Sequence, residues 1–310
     1  MTRVLLTGAA GYIGSKLVGC LLDKGFQVTG IDTLKYKQDS LIYYCSNPNF
    51  KFIKADVRDY SIYRKYVEQH DVIIPLACLT GAPLSNLHPT EALETNEKAV
   101  SVLAEWTNSD QYVIYPCTNS GYGIGGDGMC TEESPLQPIS EYGKTKVRAE
   151  SRLLERGNAT TLRLATVFGL SNRMRLDLLV NNLTYLALTS KSLVLFESSF
   201  RRNYIHVDDV CAVFLDACIN PKKYSREPYN LGLSSANLTK LELAKTIQKY
   251  VECEIFDSKI GCDPDKRDYI VSNEKIESLG FKPMRSIDYG IKEIVSALPM
   301  LRPTSEMLNF

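Results

Sequence analysis

Tyr142 and Lys146 stand four residues apart, so on a helix they share one face, about one turn apart. A tyrosine phenol titrates near ~10, too high for a base at neutral pH. An ammonium about 4 Å away, at an effective dielectric of about 20, favours phenolate by up to roughly 4 kcal/mol. A shift of that size makes the phenol a proton-transfer catalyst. The plainer reading is an exposed amphipathic helix that carries a Tyr and a Lys. The pair needs a framework before it can be given chemistry.

The first half of the chain supplies one. Residues 3–7 read as a short apolar strand, and Gly8, Gly11 and Gly14 follow in the spacing G-x-x-G-x-x-G, with Tyr12 and Ile13 between them. A helical pattern runs over 15–24, Gly25 ends it, and a strand over 26–31 closes on Asp32. Small residues at such a turn let backbone approach a pyrophosphate, and the helix start offers unpaired N–H groups and a positive dipole end. A carboxylate at Asp32 can accept both adenosine ribose hydroxyls and repels a 2′-phosphate. NAD is therefore expected over NADP, although Lys35 and Lys37 lie nearby. A plain strand-turn-helix is the competing reading.

The alternation continues. Strands are expected over 50–55, 71–77, 111–117 and 159–164, and helices over 60–68, 90–107 and 139–156. The run over 71–77 is continuously apolar after Asp71, as a parallel sheet covered on both faces demands, and 111–117 reads as another buried strand. This is the pattern of a Rossmann-type doubly wound α/β sheet. Ligands bind such sheets beyond the strand C-termini, where Gly8, Asp32, Asp56, Ala77 and Thr118 fall. The expected cofactor contacts are the glycine turn with Tyr12 and Ile13, Asp32, Asp56 with Val57 at the adenine edge, Leu76 with Ala77, and Asn96. The expected division is a cofactor domain over 1–166, with returns to its sheet near 202–232, and a smaller α/β substrate domain over 167–310. Helices in the latter are expected over 238–250, 272–279 and 286–297.

Bulk composition narrows the class. The 310 residues are 44% hydrophobic and 23% charged, with 36 basic and 36 acidic residues, so the net charge gives no support for nucleic-acid or membrane-surface binding. No apolar run approaches the roughly 20 residues of a membrane span. The first residues enter a strand without a signal-peptide plan. Nine cysteines are scattered with no Cys-x-x-Cys, which reads as a reduced, cytoplasmic protein without a metal site.

Four features coincide: the glycines at 8, 11 and 14, Asp32, Thr118 followed by Tyr122-Gly123, and Tyr142 with Lys146. Together they resemble the extended short-chain dehydrogenase/reductase family, the NAD-dependent epimerases and dehydratases of nucleotide sugars. The resemblance implies that Tyr142 is the acid/base and that Lys146 lowers its pKa and holds the nicotinamide ribose. It implies that Thr118 orients the substrate hydroxyl, beside Asn119 and Ser120. Residues 180–183, with Asn181 and Asn182, resemble a substrate-diphosphate loop; Arg202 and Arg267 resemble phosphate contacts. Arg201 and Lys266 read as solvated charges, His206 as structural, and Asp208-Asp209 as the cap of a helix over 207–220. Thr166 replaces an Asn common in the family, which puts an amide contact to the diphosphate in question. Homodimers through helices 90–107 and 139–156 are the family's habit.

The residues after Thr118 sort the family's reactions. Its 4,6-dehydratases place Asp and Glu there, and its decarboxylases keep the Glu. Its 3,5-epimerase/reductases use a Cys, which Cys117 cannot replace, because neighbouring strand residues point to opposite faces. Asn119 and Ser120 do no proton transfer near neutrality, which leaves hydride transfer at C4. Residues 118–125, 129–135, 138–143, 173–177 and 263–268 resemble the GDP-D-glycero-D-manno-heptose 4-dehydrogenases, which implies a retained NAD and 2-oxoglutarate as oxidant. A 4-epimerase or 4-ketoreductase is the enzyme alternative, and an NAD-sensing module the non-enzyme one.

Overall fold

The computed structural model describes residues 1–224, 226–258 and 267–309, without the side chains of 126 and 127. Cys262 and Lys266 lie outside the described residues. In chain order the first half runs β1 (Arg3–Thr7), α1 (Tyr12–Asp23), β2 (Gln27–Asp32), β3 (Phe50–Lys54), α2 (Tyr60–Val67), β4 (Val72–Pro75) and α3 (Ala82–Leu87). Next come α4 (Pro89–Ala92), a π-helical segment (Leu93–Lys98), α5 (Ala99–Trp106), β5 (Tyr112–Thr118), β6 (Ile124–Cys130), α6 (Glu141–Arg156) and β7 (Ala159–Leu164). The second half holds β8 (Thr166–Phe168), α7 (Leu179–Ser190), β9 (Ser192–Phe196), β10 (Arg201–His206), α8 (Val207–Ile219), β11 (Pro228–Leu231) and β12 (Asn237–Thr239). It ends with α9 (Lys240–Gln248), β13 (Glu254–Ser258), β14 (Asp268–Val271), α10 (Glu274–Ser278) and α11 (Ile287–Ala297).

Seven strands make one sheet in the order β11-β7-β5-β4-β1-β2-β3, and every pairing in it is parallel. Alternate residues of the strands serve opposite faces. Val4, Leu6, Ile74 and Ile114 pack on Leu17 and Leu21 of α1 and on Val210 and Phe214 of α8. Leu5, Ile73, Val113 and Tyr115 pack on Tyr63 of α2, Val100 and Leu103 of α5, and Ala149 and Leu153 of α6. Burial on both faces is why these strands are apolar throughout. The strand order reverses between β1 and β4, and a crevice opens there at the C-terminal edge.

Of residues 202–232, the segment Pro228–Leu231 joins the large sheet and α8 packs on α1. Strand β10 pairs instead with β8 in parallel and β12 in antiparallel. A second core of Phe168, Val180, Tyr204, Leu243, Ile247 and Ile291 sits among α7, α9 and α11.

Three local expectations change. The helix over 90–107 is α4, the π segment and α5 in succession, so its apolar period is broken midway. Residues 180–183 lie in α7 and are not a loop. The cap of α8 is His206, whose Nδ1 accepts from Asp208 N–H at 3.1 Å. Asp208 pairs with Lys16 at 2.5 Å, and Asp209 accepts from the Met284 and Arg285 N–H groups. The backbone amides of the loop that precedes α11 offered Asp209 better partners than its own helix start.

One polar cluster ties the sheet to the site-bearing helix. Glu150 of α6 accepts from Arg163 of β7 at 3.0 Å and from Thr161 Oγ1 at 2.6 Å. Arg163 Nη1 also donates to the Tyr122 hydroxyl at 3.1 Å and the Glu132 carbonyl at 2.9 Å. Both charged partners are buried.

Candidate active site

The crevice is a cavity of about 630 Å³ running from the glycine turn to the start of α6. Its floor is built by backbone geometry. Gly8 sits at φ +65°, and a Cβ there would meet Ala77 N at 2.7 Å. A Cβ on Gly14 would lie 2.3 Å from the Gly8 carbonyl oxygen. Glycine at these positions lets β1, the end of β4 and the start of α1 meet. Gly11 caps α1 with no side-chain bond, so the first N–H groups of the helix remain for an anion.

Asp32 ends β2 at the cavity wall. Its carboxylate accepts from Ala10 N–H at 3.0 Å, Leu34 N–H at 2.8 Å and Gln38 Nε2 at 3.3 Å. Burial raises its pKa, and the two backbone N–H groups oppose that rise. Asp56 and Val57 also line the cavity, but the Asp56 carboxylate is forked by Arg58, which holds its pKa down. Tyr12, Ile13, Leu76 and Ala77 are part of the wall. Asn96 is one layer behind it: its amide grips the Leu79 backbone at 2.8 and 3.1 Å, and Leu79 lines the cavity.

The opposite end carries the residues with acid–base potential. Ser140 caps α6 by accepting Gly143 N–H at 3.2 Å, and Gly157 closes the helix in the left-handed region. Tyr142 and Lys146 both reach the cavity from the first turns of α6. Because Ser140 sets where α6 starts, Ser140→Ala should cost about 1 kcal/mol in denaturant-induced unfolding. Thr118, the last residue of β5, donates its hydroxyl to Ser120 Oγ at 2.9 Å and accepts Ser120 N–H at 3.1 Å. Arg267 Nη1 donates to Ser120 Oγ, and to the Tyr269 hydroxyl at 3.4 Å.

A lysine-lowered phenol is not what this arrangement gives. Removal from water holds the Tyr142 pKa well above the usual tyrosine value, with Cys78 and Cys117 adding to the rise; Arg267 and Arg175 oppose it. Lys146 is 3% exposed, with Nζ 4.1 Å from the Tyr115 ring centroid. Desolvation outweighs the field of Arg267 and Arg175 here.

A model of the NAD dependent epimerase/dehydratase family matches residues 4–232. The chain belongs to this family. It is an NAD-dependent enzyme of the epimerase/dehydratase kind. The low-salt glycan biosynthesis protein Agl12 of Haloferax volcanii is 29% identical over 309 residues, covering 94% of this chain and 97% of that protein. The dTDP-D-glucose 4,6-dehydratase of Mus musculus is 28% identical over 314 residues, covering 94% of this chain and 87% of its own. The structure of UDP-glucuronic acid 4-epimerase from Bacillus cereus, in complex with UDP-glucuronic acid and NAD, shares the fold at a TM-score of 0.82. It is 24% identical, covering 97% of this chain and 100% of that one.

The residues present fit the cofactor of an epimerase/dehydratase. The glycine turn, the uncapped start of α1 and the Asp32 carboxylate face one cavity, in the order that pyrophosphate and ribose require. The predicted substrate residues divide. Asn182, Arg202, Arg267, Thr118 and Ser120 line the cavity. Asn181 does not: fully buried, its amide accepts from Gly169 N–H at 3.0 Å and donates to the Arg175 carbonyl at 2.9 Å. Asn119 is also buried, and its amide atoms find no partner among the described residues. Arg201 pairs with Asp268 at 3.0 Å at the surface.

The wall includes residues to which the sequence reading gave no role. Tyr36, Arg173, Arg175, Asp177 and Asn309 all line it. Arg173, Arg175 and Asp177 alternate along the chain with the buried Met174 and Leu176. That alternation was the available signal.

Proposed function

We propose that this protein oxidises C4 of a nucleotide-activated sugar, with GDP-D-glycero-D-manno-heptose as substrate and 2-oxoglutarate as the oxidant. The observation that carries this reading is the absence of a carboxylate beside Thr118 among the described residues. Ser120 stands there, bonded to Thr118 and Arg267. Dehydration needs a further acid and base near C5 and C6. Among the described residues, the four carboxylates lining the cavity are engaged elsewhere: Asp32 with backbone N–H groups, Asp56 with Arg58, Glu91 with Lys35, and Asp177 with Arg175.

Tyr142 removes the proton of the sugar 4-hydroxyl, and Thr118 holds the same oxygen. NAD, when bound, supplies the acceptor for the hydrogen and electron pair that leave C4, and its positive ring offsets the desolvation of the phenol. Lys146 steadies the phenolate and the nicotinamide ribose. Arg202 and Arg267 meet the diphosphate, because a guanidinium fork suits paired phosphate oxygens. 2-Oxoglutarate, reduced to 2-hydroxyglutarate, balances the oxidation. The protein acts in the cytoplasm as a homodimer or higher homo-oligomer joined through residues 90–107 and 139–156.

A 4-epimerase is the second reading, because it too works with a lone Tyr and needs no further acid. Mass and NMR analysis of products, with and without 2-oxoglutarate, separates the two. The expected result is a 4-keto sugar nucleotide formed in step with 2-hydroxyglutarate. A 4-epimer of unchanged mass, formed without 2-oxoglutarate, would overturn the dehydrogenase.

A further inference from the structure

Arg173 is a buried cation with no acidic partner among the described residues. It is 6% exposed and lines the cavity. Its Nη2 donates to the Glu306 carbonyl at 2.9 Å, and its guanidinium stands 4.5 Å from the Tyr36 ring centroid. No described carboxylate forms an ion pair with it; Asp177, two residues beyond Arg175, is taken by that arginine. Burial and the neighbouring Arg175 bring its pKa down to about 10. A guanidinium out of water without a counter-charge is costly, and such sites are filled by an anion.

The place of Arg173 says which anion. Its N–H donates to Ser15 Oγ at 3.3 Å, Asn172 Nδ2 donates to the Ser15 carbonyl at 3.3 Å, and Ser171 Oγ donates to the Tyr12 carbonyl at 2.5 Å. The segment 171–173 is thereby fastened to the first turn of α1, whose cap is Gly11 and which holds no acid. Asp32 is among the charges felt by the Arg173 side chain. Arg173 thus lies at the α1 side of the cavity whose wall also holds the glycine turn and Asp32.

We propose that Arg173 binds the pyrophosphate of NAD, facing the α1 N-terminus with a charged fork, with Arg175 adding positive field beside it. This rests on the family's cofactor and not on which C4 reaction is run, so binding assays decide it without turnover. The shared chemistry is a phosphate oxyanion, which the sugar nucleotide and the 2′-phosphate of NADP also carry. Asp32 beside the site disfavours a 2′-phosphate. Arg202 and Arg267 already give the sugar nucleotide two arginines on the same cavity.

The test is calorimetric titration of the nucleotide-stripped full chain with ADP-ribose, adenosine, GDP and NADP. Arg173→Met is compared with wild type and with Arg173→Gln, which can still donate to the Glu306 carbonyl but carries no charge. Both variants should bind ADP-ribose about 10- to 100-fold more weakly, bind adenosine and GDP as wild type does, and retain less NAD on purification. Equal loss of adenosine would make Arg173 structural and overturn the proposal. A loss confined to GDP, or to NADP relative to ADP-ribose, would assign it to the other phosphates and overturn it too. If Arg173→Met does not fold, the Gln variant decides alone.

Discussion

Replacing Tyr142 with Phe will slow turnover by about 10²- to 10⁴-fold, or about 3–5 kcal/mol in the barrier, and leave NAD binding and folding intact. In the proposed reaction the phenol, which lines the cavity, takes the proton from a sugar hydroxyl, and Phe keeps the ring. The pH dependence follows from the raised Tyr142 pKa, whose main cause is desolvation. A folded pKa above the unfolded one contributes stability that is complete below about pH 10 and is lost as pH climbs through the folded value. Near neutrality the variant should therefore unfold like wild type. Oxidation needs the phenolate and its pKa is held up, so kcat/KM should keep rising with pH through neutrality, with no plateau below about pH 10. Activity within a few-fold of wild type in the Phe variant, or a flat profile in wild type, would remove Tyr142 from the reaction.

Glu150→Ala should destabilise the protein by about 3–5 kcal/mol, a large share of a typical folding free energy. The change strands Arg163, which is buried against Tyr122 and bonded to the Glu132 carbonyl. Urea unfolding followed by circular dichroism measures the loss. The double variant Glu150→Ala, Arg163→Met should recover much of it, because an apolar replacement of a buried pair is often near neutral. A single variant within about 1 kcal/mol of wild type would mean that water reaches Arg163. Since α6 carries Tyr142 and Lys146, the weakened protein should also lose activity at temperatures where wild type keeps it.

What could be read from the sequence was local or strictly periodic. The parallel strands declared themselves because both faces are covered, as Ile73 and Ile74 of β4 show by packing on opposite cores. The glycine turn and Asp32 were legible because a strand, a turn and a helix impose them within 30 residues. Residues that act through others were not. Asn96 and Asn181 fitted a ligand-binding pattern, yet each spends its amide on backbone that shapes the wall. Arg173 joins the cavity only because residues 171–173 are tied to α1, more than 150 residues earlier in the chain. The Tyr142 pKa was not legible for a related reason: spacing shows a lysine one turn away but not the amount of water removed.

The π-helical segment between α4 and α5 has a geometrical result of its own. One extra residue in a turn rotates everything after it by about 100° relative to a regular helix. Glu91 and Thr95, before and within the segment, look into the cavity, whereas Val100 and Leu103 after it look into the core. Removing a single residue between 93 and 98 would swing Val100 and Leu103 off the sheet, so this stretch should tolerate substitution far better than deletion.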